Sequence, residues 1–267
     1  MKKNFQVLDA DYRIKEDEPV LRLFCIDESG EKKVLVDRDF RPYFYALSDD
    51  IEQLKEDIQD ETFSKDGEEF EVISTEIVER NNPLDEEKML KVFAQIPPEI
   101  PKLRGQVAKL ETVKDTREFD IPFYKRYLID KGISPVTWLE IEVSDDDEYD
   151  SRIEKIGKEK DTEGTGFDTL AFDLEVFDDT VHMASFYGED FEHLITTVEI
   201  DREYVETVRD EKELIKRFKE VIEERDPDVI TGYNTDEFDF QILRERARSN
   251  GLTLDIGMLG EKVKFDR

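Results

Sequence analysis

Nine residues, Thr169–Phe177, "TLAFDLEVF", constrain this chain more than any other stretch. Leu170, Ala171, Phe172, Leu174, Val176 and Phe177 read as a β-strand bound for a core, yet Asp173 and Glu175 interrupt it two positions apart. Alternate side chains of a strand share a face, so both acids aim at one region of space. A buried unpaired carboxylate is costly, and two close together raise each other's pKa unless positive charge stands between them. The acid face must therefore meet a cation, with a divalent metal the natural candidate. A chance D-x-E on the surface is the bland alternative in a chain with 70 acids, and the apolar flanks weaken it.

The surrounding pattern predicts a layered α/β sheet. "VHMASFYG" and "FEHLITTVEI" extend the first strand into three consecutive strands. "RDEKELIKRFKEVIEERD" places Leu214, Ile215, Phe218, Val221 and Ile222 on one face of a helix, with Asp210 as cap and Glu213 completing a capping-box pattern. Pro227 starts the exit, "DVITGYN" reads as a buried strand, and "DEFDFQILRERARSNG" reads as a helix closed by Asn250 and Gly251. Strands in a meander, then helix, strand and helix, make an α/β sheet.

The first third is richer in strands: "FQVLDADYRI", "PVLRLFCIDESG", "EKKVLVDRDF" and "PYFYALS" are short β-branched or aromatic runs separated by turn chemistry. Helical spacing follows near "DDIEQLKEDI" and "IPKLRGQVAKL". "FDIPFYKRYLIDKGI" sets Lys125, Arg126 and Lys131 among aromatics, a local basic patch in an acidic chain. Residues 144–166 are polar, charged and end in glycines, which predicts a linker or exposed loop between domains at 1–143 and 167–267.

Composition excludes several classes. With 37% hydrophobic residues the chain builds a core rather than a disordered coil. It has no apolar run near the length of a membrane span, and no apolar segment behind the N-terminal lysines to read as a signal peptide. One cysteine, Cys25, rules out an internal disulfide, and with only His182 and His193 a Cys/His zinc cluster is not expected. These features predict a cytoplasmic protein without a membrane partner. The net charge of −31 argues against easy contact with phosphates, except through local basic patches or metal ions.

A third acid, Asp239, lies in "GYNTDEFDF" just beyond the strand "DVITGYN", at the carboxyl edge of the sheet where ligands gather. Three carboxylates with no His or Cys suit hard cations such as Mg²⁺ or Mn²⁺. Two such ions roughly 4 Å apart clamp an in-line phosphodiester displacement. Asn234 also reads as a turn residue and Phe238 as core.

Together these residues carry a resemblance. "FDLEVF" resembles the first exonuclease motif, D-x-E, of the family B DNA polymerases, and "YNTDEFDF" resembles their second, N-x3-F-D, with Asn234, Phe238 and Asp239 in the motif places. "LDADY" and "RDFRPYFYAL" look like the opening strands of the archaeal members' N-terminal domain, and "FDIPFYKRYLIDKGI" like the segment leading into their exonuclease domain. The likeness runs over nearly the whole chain, in order. It implies a strand-rich α+β N-terminal domain followed by an incomplete RNase H-like 3′→5′ proofreading exonuclease domain. Asp173, Glu175 and Asp239 would be the catalytic carboxylates holding two Mg²⁺ or Mn²⁺ ions, and Asn234 and Phe238 would position the single-stranded primer end of DNA.

Archaeal members also capture template uracil in an N-terminal pocket. The matching positions are Tyr12, Pro42, Tyr43, Ile100, Phe123 and Arg126, with ordinary domain core as the alternative for all six. Such a pocket would read the pyrimidine edge mainly through backbone groups and exclude thymine's methyl by close packing. Ile100 stands where the family is expected to have Val, a slightly smaller side chain.

Two departures qualify the likeness. The family's third exonuclease motif, Y-x3-D, has no match, because Asp255 and Asp266 both lack a Tyr four positions earlier. Palm, fingers and thumb are absent too. The expected reading is therefore a piece of a DNA-directed DNA polymerase, either one chain of a split enzyme completed by a second polypeptide or a fragment of a single-chain one. The alternatives are a non-catalytic nucleic-acid-binding module and an unrelated RNase H-like DNA-repair exonuclease.

Overall fold

The computed structural model describes residues 1–65, 67–81, 86–160 and 166–263. The chain divides into two compact units, Met1–Gly164 and Thr165–Arg267.

In the first unit, β1 (Lys2–Lys15), β2 (Glu18–Asp27) and β3 (Lys32–Asp37) run as an antiparallel meander. β4 (Tyr43–Leu47), α1 (Ile51–Asp60), β5 (Phe63–Lys65), β6 (Glu68–Phe70), β7 (Val72–Asn81), β8 (Glu86–Ala94), α2 (Ile100–Val107), β9 (Asp115–Arg117) and α3 (Phe123–Lys131) follow. β10 (Trp138–Ser144) and β11 (Ser151–Lys160) then return to the first three strands and close a barrel in the order β1-β10-β11-β3-β2. Its interior holds Phe5, Val7, Leu21, Leu23, Cys25, Leu35 and Ile141, with Phe123 and Tyr127 of α3 packed against them. A four-stranded sheet, β7-β8-β4-β9, forms a second layer. Its Phe44, Leu90 and Val92 bury against Leu54 and Ile58 of α1 and Leu103 and Val107 of α2. Asp50 caps α1 by accepting from the Gln53 N–H, as its place before the apolar run favours.

The second unit is a sheet in the order β15-β14-β13-β12-β16. β12 (Thr169–Phe177), β13 (Thr180–Gly188) and β14 (Phe191–Thr196) are the three meandering strands. β15 (Val205–Thr207) joins parallel to β14, and β16 (Val229–Thr231) joins parallel to β12. α4 (Glu211–Arg225) and α5 (Asp239–Ser249) supply its helices. Phe172 sits with ring centroids 5.2 Å from Phe218 of α4 and 5.0 Å from Phe240 of α5, so both helices cover the same face of the sheet. Truncating a fully buried ring such as Phe218 costs about 3–5 kcal/mol.

Several expectations need correction. Residues 151–160, taken as part of a linker or loop, form β11, a barrel strand in which only Ile153 is fully buried. Its charged alternation hides a strand held mainly by its backbone ladder to β10. Residues 161–165 of that segment lie outside the described residues. The strand inside "DVITGYN" is three residues long, with Val229 and Thr231 exposed and Ile230 alone partly buried. Asp210 does cap α4, accepting from the Glu213 N–H at 2.9 Å, but the Glu213 carboxylate takes the Arg209 N–H and guanidinium instead of completing a capping box. No helix among the described residues is long and apolar enough to cross a membrane.

Candidate functional site

β12 resolves the tension in its own sequence by facing two ways. Leu170, Phe172 and Leu174 are buried under α4 and α5, while Asp173 and Glu175 stand exposed on the opposite face. Register puts Asp173 opposite Ser185 and Glu175 opposite Met183 on β13. Asp239 arrives from elsewhere. The backbone turns away from β16 at Gly232, where a Cβ would lie 2.5 Å from the Phe172 carbonyl oxygen and 2.3 Å from the Thr235 methyl. Only glycine permits that approach to β12. Asn234 then adopts φ +58, a left-handed conformation that Asn tolerates, and its carbonyl accepts the Phe238 N–H at 3.0 Å.

Asp239 opens α5 and is 2% exposed. Burial raises its carboxyl above the ordinary aspartate range and the charge of Asp173 raises it further, against opposing hydrogen bonding from its own N–H and from that of Leu174. Asp239 is thus drawn to the middle of β12, against the Leu174 N–H. The structure brings it to Asp173 and leaves Glu175 on the same strand face. Among the described residues, no three His, Cys, Asp or Glu side chains form a group that could hold a metal ion. Of the two later acids, Asp255 is engaged by Lys219 of α4, which holds its carboxyl below the usual range, and Asp266 lies outside the described residues. Phe238 is half-exposed beside Asp239, not core, and Tyr233 stands 92% exposed in the same loop.

A second site lies in the first unit. Tyr12 of β1, Pro42 and Tyr43 at the start of β4, Ile100 at the start of α2, and Phe123 and Arg126 of α3 all line one cavity of about 320 Å³. Tyr43 is braced on three sides. Its hydroxyl donates to Asp130 at 2.5 Å, Lys91 Nζ lies 3.7 Å from its ring centroid, and the Arg126 guanidinium lies 5.1 Å away. Burial, then the bond to Asp130, holds its phenol protonated far above the usual range. Arg126 is buried and paired with Glu118 at 2.6 Å, so it is no part of a surface basic patch. Its Nε is buried without an acceptor. The sequence reading missed the remaining wall, Pro97, Pro98, Pro101, Phe119 and residues 120–122. The dense prolines of "PPEIP" were the available signal, since proline fixes backbone and offers no N–H.

The fold and these two sites define a class: a strand-rich N-terminal domain followed by a polymerase-type exonuclease domain. Known proteins agree. Residues 114–265 match the family described as "DNA polymerase family B, exonuclease domain". The DNA polymerase of Pyrococcus glycovorans is 36% identical over 265 residues, which cover 98% of this chain and 31% of that protein. That of Methanocaldococcus jannaschii is 35% identical over 277 residues, covering 98% of this chain and 15% of that one. The solved structure of the family B DNA polymerase from the hyperthermophilic archaeon Pyrobaculum calidifontis superposes with a TM-score of 0.84 at 31% identity, over 98% of this chain and 34% of that one. This chain belongs to DNA polymerase family B and corresponds to its N-terminal and exonuclease region. It spans about a third, or less, of the length of these relatives. The reading as an unrelated repair exonuclease is overturned by the family match.

Proposed function

We propose that the chain carries part of a 3′→5′ proofreading exonuclease and a template-uracil sensor, while residues outside it supply polymerisation, in the same polypeptide or in a partner. The observation that carries the exonuclease reading is the Asp239 carboxyl, buried at the start of α5 and raised first by that burial and then by the charge of Asp173. A cation would relieve that repulsion, and a donor set of oxygens alone suits Mg²⁺ or Mn²⁺. The residues fit such an ion in kind: Asp173 and Asp239 would hold it, and Glu175 on the same strand face would join them only by a shift, since the three do not form a ready group. Bound there, it would neutralise the phosphodiester and the charge that develops on the leaving oxygen. Asp173 and Glu175 present carboxylates on the open face of the sheet, and the half-exposed Phe238 ring offers a flat surface to the terminal base.

The test is degradation of a 3′-labelled single strand with Mg²⁺ or Mn²⁺, by the chain alone and with the rest of the polymerase added in trans. Activity is expected at least on mixing. Asp173→Ala should lower it by about 100-fold or more, since even residues that only orient a metal ligand cost 10–100-fold. Binding of single strands with intact fold but no cleavage under any condition would make the chain a binding module.

The sensor reading rests on the convergence of six side chains on one cavity. The unpartnered Arg126 Nε–H suits a carbonyl acceptor such as a pyrimidine offers, and the proline-fixed rim limits room for a methyl group. A strand containing deoxyuridine should bind more tightly than the same strand with thymidine, and Tyr43→Ala should erase the difference. Equal binding of the two strands by the unaltered chain would sink this reading.

A further inference from the structure

The barrel of the first unit has a connectivity with its own meaning. Strands one to three pair as a meander, the fifth pairs parallel to the third, and the fourth closes onto the first. That is the strand order of the oligonucleotide- and oligosaccharide-binding barrel, whose ligands lie on the face of strands two and three, between the loop joining strands one and two and the loop joining strands four and five. Here those loops are residues 16–17 and residues 145–150, and the ligand face is that of β2 and β3.

The second loop lies across that face. Arg38, just after β3, donates through Nε and Nη2 to the Asp146 carboxylate, both at 3.0 Å. This two-pronged geometry is the one a guanidinium uses on phosphate. Lys15, at the edge of the first loop, donates to Glu148 at 2.7 Å. Asp150 accepts the Val34 N–H of β3 at 2.7 Å. The Tyr149 ring sits 6.0 Å from both the Arg22 and Arg38 guanidinium carbons, where a base would stack. Arg152 lines the same hollow with its Nη2 on the Asp39 carboxylate at 2.7 Å, and its Nε is buried without an acceptor. Carboxylates thus hold the places of phosphates and a phenol ring that of a base. The latch has one firm point: β11 pairs with β3 through only two residues, Ser151 and Arg152, and the exposed Lys15–Glu148 pair is weak and screened by salt, which leaves the two-pronged Arg38–Asp146 pair as the main hold.

We infer that the β2–β3 face of the barrel is a binding surface for single-stranded nucleic acid, with Lys15, Arg38 and Arg152 as its phosphate contacts, and that the acidic loop 145–150 covers it until a strand displaces it. The surface shares no residue with the uracil cavity or the exonuclease carboxylates, and it does not depend on either proposal.

The probe is a labelled oligothymidine of about 12 nucleotides, within the site size of one such barrel. Its fluorescence anisotropy is followed at low salt with EDTA, so neither uracil nor metal contributes. The variant Asp146→Asn/Glu148→Gln is expected to bind about tenfold more tightly than the unaltered chain, with a steeper dependence on salt. Adding Lys15→Ala and Arg38→Ala to it should abolish the gain. The same two charges removed elsewhere, by Asp49→Asn/Glu52→Gln, should give little. Equal affinity of the loop variant and the unaltered chain overturns the proposal, and so does a gain that survives loss of both cations or that the distant pair reproduces. Should the double variant melt early, Glu148→Gln alone, at an exposed position, reads the same way with a smaller gain.

Discussion

Asp239 is the residue whose ionisation reports the candidate exonuclease site. Its carboxyl is raised by burial and then by Asp173, so it binds a proton more tightly in the folded chain than in the unfolded one. Above both pKa values the folded chain bears the full cost of the buried charge. Acidification through the window between them relieves that cost, so this group favours folding as pH falls. A carboxyl-detected NMR titration should find Asp239 above the ordinary aspartate range, and Asp173→Asn should move it down. An Asp239 titration unmoved by that change would mean the two acids are not neighbours. The pair shows what is legible at this scale. Asp173 and Glu175 share a face because strands have a period of two, which any reader of "FDLEV" can apply. That Asp239 closes on Asp173 depends on the tight approach at Gly232, which no local pattern encodes. Arg126 shows the reverse error, since counting charges in "FYKRY" gives a basic patch while the fold buries that guanidinium against Glu118 and the Tyr43 ring.

At the scale of elements, one carboxylate ties α5, and hence Asp239, to the rest of the second unit. Glu211, in the first turn of α4, accepts the Val181 N–H of β13 at 2.9 Å, the Arg246 guanidinium at 2.8 and 2.7 Å, and the Asn250 amide at 2.7 Å. Burial alone would raise its carboxyl, but the bonds from Arg246, Val181 and Asn250 outweigh it and hold the group below the usual glutamate range. Its contribution is therefore present above the unfolded pKa and lost as pH falls through the folded one, opposite in sign to Asp239. Glu211→Ala should destabilise the chain by about 3 kcal/mol at neutral pH, because it leaves a guanidinium, an amide and a buried N–H without their acceptor. The penalty should shrink in acid, as urea melts at several pH values would show; one constant with pH would mean that Glu211 acts through packing alone. Its partners were unreadable in sequence, being 30 to 39 positions away. Elements defined by local chemistry were readable: Asp210 as a cap, and Gly251 at φ +68 closing α5 with its N–H on the Arg248 carbonyl. The long β7–β8 pair and β11 were not: β11 carries charges on six of its ten positions, and β7 and β8 break their apolar alternation with charges, so each looks like a loop until its ladder is known.

For the whole molecule the deciding quantity is a net charge of −31 on 267 residues. Many acids are answered locally, as where Arg217 holds Glu206, Glu220 and Glu224 at 2.8 to 3.0 Å, yet 39 basic residues cannot neutralise 70 acidic ones. The surplus repels itself in the compact state and is spread out by unfolding. Raising salt from 0.1 to 1 M shortens the screening length from about 10 to about 3 Å, so repulsion between separated surface acids fades. Screening also weakens the surface ion pairs, but each is worth little, so relief of the collective repulsion dominates. Thermal melts of the chain should therefore shift upward by several degrees over that range. Binding to a single strand should move the other way, because salt competes for the phosphate contacts whichever surface makes them. The two slopes of opposite sign separate the body of the protein from its binding surfaces. A melting temperature that falls with salt would mean that specific ion pairs, not net repulsion, govern the stability of this acidic chain.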